Sequence, residues 1–302
     1  MNRTQLSVLI LMCFAWGFHF VVLKWAFADL PPLHYAAVRM LIVAAILVRF
    51  LKFPKTDAGA LVLAGICLGG LNYALMFSGV NLATASASAV AVELYTPFAV
   101  LLSVVFLGER VGWRRSFGIG LALCGVLVIA MREQGDTAEA QALGVFLVSC
   151  GIFCEAVGAI LVKKRSDYKP IELLAFFALV GAVFLCVTAS VLDPGGWAVL
   201  AGGPLEKSVG GIAYSVIGGS IIGHTSYYWL IQRLPISTVA PSVLLATLIA
   251  VFFSVLLLGE PFTPAFIVGG LMTVGGVGVI LMRQAQDDQS GKQSSASAGD
   301  AT

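Results

Sequence analysis

A thirty-residue block occurs twice in this chain, and the spacing of its copies restricts the folds open to it. Residues 103–132 read SVVFLGERVGWRRSFGIGLALCGVLVIAMR, and residues 254–283 read SVLLLGEPFTPAFIVGGLMTVGGVGVILMR. The offset is 151 residues, and twelve of the thirty positions are identical. Each copy is an apolar helix, a polar break containing Gly-Glu, and a glycine-rich apolar helix. Leu107-Gly108-Glu109 answers Leu258-Gly259-Glu260, and Met131-Arg132 answers Met282-Arg283. Duplication at this period makes the chain two similar halves. How the halves are related depends on how many helices separate the copies.

The solvent these helices need follows from composition. Hydrophobic residues make up 59% of the 302 and charged residues 11%, with a mean hydropathy of +0.96. A water-soluble chain of this size has no interior large enough to hide so much apolar surface. In a bilayer every backbone polar group must be satisfied internally, which leaves helices or closed barrels. The apolar runs have the ~20 residues a helix needs to cross the hydrocarbon and lack the alternation of barrel strands.

Ten spans are expected: 6–27, 33–50, 58–79, 84–107, 115–131, 142–162, 171–192, 209–231, 236–258 and 264–282. The first is expected to be a span and not a cleaved signal peptide, because it is long, carries Trp16, His19 and Lys24, and leads into Pro31-Pro32. After Arg283 the sequence turns polar and Ser/Ala/Gly-rich, so 284–302 is expected to be a disordered tail. The six cysteines all fall inside spans without metal-ligand spacing, as packing residues do.

Lys and Arg mark the cytoplasmic side of a membrane protein. With the N-terminus inside, the inner segments carry fourteen of them and the outer segments two, Arg132 and Lys207. Lys24 and Arg39 lie within spans. Both termini are therefore expected in the cytoplasm. Each half, 1–135 and 136–283, then holds five spans. Five is odd, so the second half enters the membrane upside down. Inverted repeats are the architecture from which alternating access arises, by exchange of conformation between the halves.

Trp16-Gly17, Pro31-Pro32, Arg39 early in the second span, and a span ending in Leu-Gly-Glu before a Gly-rich span together resemble an EamA-type repeat. Tyr227-Tyr228-Trp229-Leu230, Leu234-Pro235, Ser237 and Leu258-Gly259-Glu260 carry the resemblance into the second half. Such repeats define bacterial members of the drug/metabolite transporter superfamily, and the chain is most similar to its YddG-type exporters. The resemblance covers nearly all of 6–283. It implies a ten-helix, all-α integral membrane carrier that exports small metabolites, amino acids including aromatic ones, through the bacterial inner membrane. The alternatives it leaves are organic cations or other small neutral metabolites. Cys154-Glu155 stands where Trp16-Gly17 would align, and Phe177 where Arg39 would, so roles do not transfer between halves.

Ionisable residues deep in a span are costly and mark candidate sites. Glu93 and Glu155 lie near mid-membrane, His19 at similar depth, and His224 nearer the cytoplasmic end. A carboxylate there can pair with a substrate ammonium or take up a coupling proton, or it can simply tie helices together. Trp16, Tyr73 and Tyr95 are too deep for an interfacial belt. With Tyr227 and Tyr228 they are expected to line a cavity for flat side chains, against the alternative of ordinary packing. Asn72 is a polar partner on the third span. Lys24 is placed to snorkel to the headgroups, and Arg39 to form a structural ion pair. With so few buried cations, phosphorylated substrates are disfavoured. Catalytic motifs, metal-ligand patterns and a nucleotide-binding domain are absent. The expected partners are the bilayer, a small-molecule substrate and a coupling proton, with no cofactor, nucleic acid or ATP-hydrolysing subunit. A channel or an intramembrane enzyme are the competing classes.

Overall fold

The computed structural model describes residues 2–54, 57–108, 111–131, 138–163, 168–231, 233–234 and 244–299. Side chains are not described at Leu107, Lys163, Pro170, His224, Thr225, Tyr228, Ile231 and 283–299. The first half holds α1 (Arg3–Ala26), α2 (Pro32–Leu47), α3, α4 and α5 (Trp113–Ala130). Of these, α3 is built from Ala58–Gly65, a π segment Ile66–Leu71 and Asn72–Leu82. α4 is Ala85–Val92 followed by Tyr95–Leu107. The second half holds α6 (Ala138–Lys163), α7 (Pro170–Leu192), α8, α9 (Leu244–Leu258) and α10 (Pro264–Gly299). α8 runs through Glu206–Tyr214, a π segment Ser215–His224 and Thr225–Ile231. Eight of the ten are long and apolar enough to cross a bilayer. The other two are α8, whose sequence is the more polar, with Glu206, Lys207, Ser215, Ser220 and His224, and α9, whose first expected residues, 236–243, lie outside the described ones.

Local chemistry sets several helix ends. Asn2 and Gln5 cap α1 reciprocally, each side-chain oxygen accepting the other's backbone N–H at 2.8 Å. α4 breaks at Glu93-Leu94 because Pro97 has no N–H to give the Glu93 carbonyl four residues earlier. Gly108 and Gly259 end the two equivalent helices in the left-handed conformation, at φ +68° and +66°. That conformation strains any residue with a Cβ, which gives the glycine of each Gly-Glu pair its reason. α10 continues helical to Gly299, through the segment expected to be a disordered tail. No proline interrupts it after Pro264.

Opposite orientations of the two halves can be read at the crossing of α5 and α10. Gly118 abuts Gly276, and Gly125 abuts Gly269. Under the 151-residue offset, Gly118 corresponds to Gly269 and Gly125 to Gly276. A contact between i and the counterpart of j, matched by one between j and the counterpart of i, is the signature of a twofold axis. Residue numbers rise on one helix as they fall on the other, so the helices are antiparallel and the axis lies across them, in the membrane plane. It passes between Ala122 and its counterpart Thr273, whose hydroxyl donates to the Ala122 carbonyl at 3.4 Å.

Contacts at the bundle ends agree with ten alternating spans. At the distal end, opposite the N-terminus of α1, Lys24 Nζ donates to the Asn81 carbonyl at 3.1 Å, and the Lys207 N–H to Asp29 at 2.9 Å. His34 lies 3.8 Å from Asp193, and the Thr84 N–H donates to Gln141 at 2.8 Å. The Ala85 and Ser86 N–H groups donate to Glu260 at 2.5 and 2.9 Å. These residues come from the α1–α2, α3–α4, α7–α8 and α9–α10 connections and the start of α6. At the proximal end Lys52 pairs with Glu172 at 2.6 Å, joining the α2–α3 and α6–α7 connections. Lys24 thus reaches the distal end of the bundle, where it bonds a backbone carbonyl of α3. The bundle's exterior is apolar: Val105, Val191 and Leu271 are 74%, 72% and 70% exposed, as lipid-facing side chains are.

Glu260 explains the second residue of the Gly-Glu pair. Its carboxylate takes two unpaired N–H groups at the start of α4 and the Ser86 hydroxyl, at 2.5 Å, so one half of the protein caps a helix of the other. Glu260→Ala is expected to cost about 2 kcal/mol, the scale for losing hydrogen bonds to a charged group. Glu260→Gln should cost less. Thermal unfolding in detergent measures this, and an unchanged midpoint for Glu260→Ala would remove the cap from the account.

Candidate substrate-binding site

A cluster of polar groups in the middle of the bundle gathers where α1, α2, α3 and α8 meet. On α8, the Ser215 hydroxyl lies 2.6 Å from His19 Nε2 and 2.5 Å from the Tyr35 hydroxyl. The Ser220 hydroxyl donates to the Ser215 carbonyl at 3.3 Å and accepts from Arg39 Nη2 at 3.1 Å. Trp16 Nε1 donates to the Gly219 carbonyl at 3.1 Å. The π segment makes these contacts possible. Its wider turn replaces the i→i−4 ladder by i→i−5 bonding, and the Ser215 and Gly219 carbonyls within it accept from side chains. α3, the repeat counterpart of α8, carries a π segment too.

Aromatic rings enclose the polar groups. The Arg39 guanidinium stands 4.5 Å from the Tyr73 ring centre and 5.6 Å from that of Phe77. His19 stacks on Tyr214 at 6.2 Å and meets the edge of Phe77 at 6.3 Å. Trp16 packs against Tyr227 at 5.8 Å. Trp16, His19, Tyr73, Ser220 and Tyr227 are only half-buried, although each contacts a neighbouring helix. The cluster thus offers accessible aromatic faces and hydroxyls at mid-depth.

The two deep carboxylates lie at other helix crossings. Glu93, 8% exposed, ends the first segment of α4 and accepts a hydrogen bond from the Thr247 hydroxyl on α9. Glu155 on α6 accepts from Asn72 Nδ2 at 3.0 Å, and the same amide reaches the Gly151 carbonyl at 3.0 Å. Asn72 is thereby committed to α6, while its neighbour Tyr73 joins the α1–α2–α8 cluster. Each carboxylate bridges the two halves through a neutral partner. A proton gained or lost at either one would change a contact between halves.

Of the expected site residues, Trp16, His19, Tyr73 and Tyr227 come together in one cluster. Glu93, Glu155 and Asn72 sit at the crossings beside it. Tyr95 is 36% exposed at the first residue of its helix segment, which sets it apart from the buried and half-buried members. His224 and Tyr228 have side chains outside the described ones. Arg39 corrects the expectation of a structural ion pair: among the described residues no carboxylate pairs with it. Glu93 and Glu155 hydrogen-bond elsewhere because α4 and α6 cross other faces of the bundle. Residues not foreseen are Ser215, Ser220, Tyr35, Tyr214 and Thr247. The glycine pairs Gly69-Gly70 and Gly218-Gly219, one in each π segment, are a sequence signal that could have found them. Among the described residues no group of three or more His, Cys, Asp or Glu is placed to hold a metal.

Comparison with known proteins agrees with this architecture. The chain is 25% identical over 283 residues to a "probable amino-acid metabolite efflux pump" of Escherichia coli (strain K12), covering 92% of this chain and 94% of that protein. A "probable terminal-alkyne amino-acid exporter" of Streptantibioticus cattleyicolor is 28% identical over 188 residues, 62% of this chain and 60% of that one. A solved crystal structure superposes with a TM-score of 0.58 at 19% identity, covering 92% of this chain and 96% of the other, which supports the fold. The model of the EamA-like transporter family matches residues 4–131 and again 142–282, one match to each half. A multi-pass bundle built of two such repeats places the chain in the EamA-like transporter family.

Proposed function

We propose that this transporter is a secondary exporter of amino acids, aromatic ones among them, working by alternating access across the cytoplasmic membrane. The observation that carries the reading is the mid-depth cluster in which half-buried Trp16, His19, Tyr73 and Ser220 surround buried Arg39 and Ser215. It combines flat apolar faces with hydrogen-bonding groups, as a zwitterion with an aromatic side chain requires. The names of two relatives, both concerned with amino-acid efflux, support the substrate class. The inverted repeat supports exchange of conformation between halves. Glu93 and Glu155 are the groups to carry a coupling proton. The excess of Lys and Arg on the proximal loops supports cytoplasmic termini and an inner-membrane orientation.

Counterflow in proteoliposomes tests the reading. Labelled phenylalanine, tyrosine and threonine should exchange saturably with internal unlabelled substrate, whereas organic cations and sugars should not compete. Saturable exchange of organic cations alone would replace the amino-acid reading, and flux linear in concentration would make the protein a channel. A phosphatase reporter fused at residue 302 should be inactive. Activity there would invert the orientation.

A further inference from the structure

We infer that Arg39 is the receptor for the substrate's carboxylate; this rests on the amino-acid reading above and deepens it. Arg39 is 3% exposed, yet Nε and Nη1 have no hydrogen-bond partner among the described residues. Among the described residues its one hydrogen bond, from Nη2, goes to the neutral Ser220 hydroxyl, and no carboxylate pairs with it. The Tyr73 and Phe77 rings beneath it supply cation–π attraction, which is small beside the cost of holding an unpaired charge away from water. A cation kept in that condition is missing an anion that arrives and leaves.

The geometry specifies what arrives. Guanidinium matches a planar carboxylate with two parallel hydrogen bonds. One unpaired cation suits one negative charge. A phosphate dianion would call for a second cation, and the surrounding groups are instead Ser220, His19, Tyr73 and Phe77. Arg39 lies against the Tyr73 ring and bonds Ser220, and Trp16 bonds the carbonyl of Gly219 next to Ser220, so a carboxylate on Arg39 leaves an apolar side chain beside aromatic rings. Arg39 on α2 and Ser220 on α8 belong to opposite halves. A bound carboxylate would therefore bridge the two bodies whose relative motion transports it.

The test compares an acid with its amide. In wild-type proteoliposomes phenylalaninamide should compete with labelled phenylalanine at least tenfold more weakly than phenylalanine itself does. Arg39→Gln should raise the KM for phenylalanine at least tenfold and bring acid and amide to equal potency. Arg39→Lys should recover part of the preference. Acid and amide competing alike against the wild type would overturn the assignment and leave the amino-acid reading intact, as would an Arg39→Gln protein that keeps the preference. If the wild type transports no amino acid, the reading above falls and this assignment with it. The wild-type ratio needs no variant, so an Arg39→Gln chain that fails to insert does not prevent the decision.

Discussion

Gly125→Ala should destabilise the folded protein by about 2 kcal/mol, within the range for overpacking a tight interface, and Gly125→Val should prevent its accumulation. A Cβ at Gly125 would lie 2.5 Å from the Gly269 carbonyl oxygen and 2.6 Å from the Thr273 nitrogen. Both are backbone atoms, which cannot yield as a flexible side chain does. Without a hydrophobic drive between helices in lipid, close backbone packing supplies much of the attraction, and small residues permit it. The pseudo-twofold sharpens the expectation. Gly276→Ala, the same change at the symmetric position, meets the Gly118 carbonyl at 2.5 Å and the Ala122 nitrogen at 2.6 Å, so it should cost about as much. Gly120→Ala is the control: nothing lies within 4 Å of a Cβ there, and alanine is the better helix former by roughly 0.5–1 kcal/mol. Thermal unfolding in detergent distinguishes them. A Gly125→Ala protein that melts with the wild type would show that the α5–α10 crossing tolerates separation.

The same glycines show why the architecture could be read before the site. Antiparallel helices on a twofold axis need small residues at matched positions, so Gly118 and Gly125 recur as Gly269 and Gly276, and the duplication can be seen in the letters. The Gly-Glu pair recurs for an equally local reason, a left-handed glycine ending each helix. The binding cluster has no such recurrence. Trp16 aligns with Cys154 and Arg39 with Phe177, so one half cannot corroborate the other. Depth alone flagged Glu93, Glu155, His19, Trp16 and Tyr73. What each touches depends on how neighbouring helices are rotated, which apolar runs of similar composition do not encode. Thr247 and Ser215 are single small polar residues within such runs, and only the meeting of α4 with α9, and of α1 with α8, gives them partners. Arg39 was expected to have a carboxylate partner because buried cations usually do. Its position over Tyr73 and Phe77, with no carboxylate among the described residues paired with it, became visible only in the packed bundle.

Glu93→Gln is expected to slow counterflow at least tenfold, about 1.4 kcal/mol in the rate-limiting step, while folded yield and melting temperature stay near wild type. The separation of the two readouts follows from the contact. The Thr247 hydroxyl donates to Glu93, and a glutamine carbonyl accepts the same bond, so the α4–α9 crossing keeps its link. The amide cannot exchange a proton, and it cannot carry the charge that a coupling step or a substrate ammonium would use. Thr247→Val makes the complementary change. It removes the donor and leaves a buried carboxyl without its partner, so stability should fall by about 1–3 kcal/mol. Coupling of the two positions can be measured directly. If the Glu93–Thr247 bond is what each variant disturbs, Glu93→Gln combined with Thr247→Val should depart from additivity by 0.5 kcal/mol or more, as contacting pairs do. A Glu93→Gln protein with normal transport rates would leave the carboxylate a structural role only, and the coupling proton would then fall to Glu155. Because Glu93 stands at the break that Pro97 makes in α4 and bonds Thr247 of the other half, a change of its charge acts on a contact between the halves.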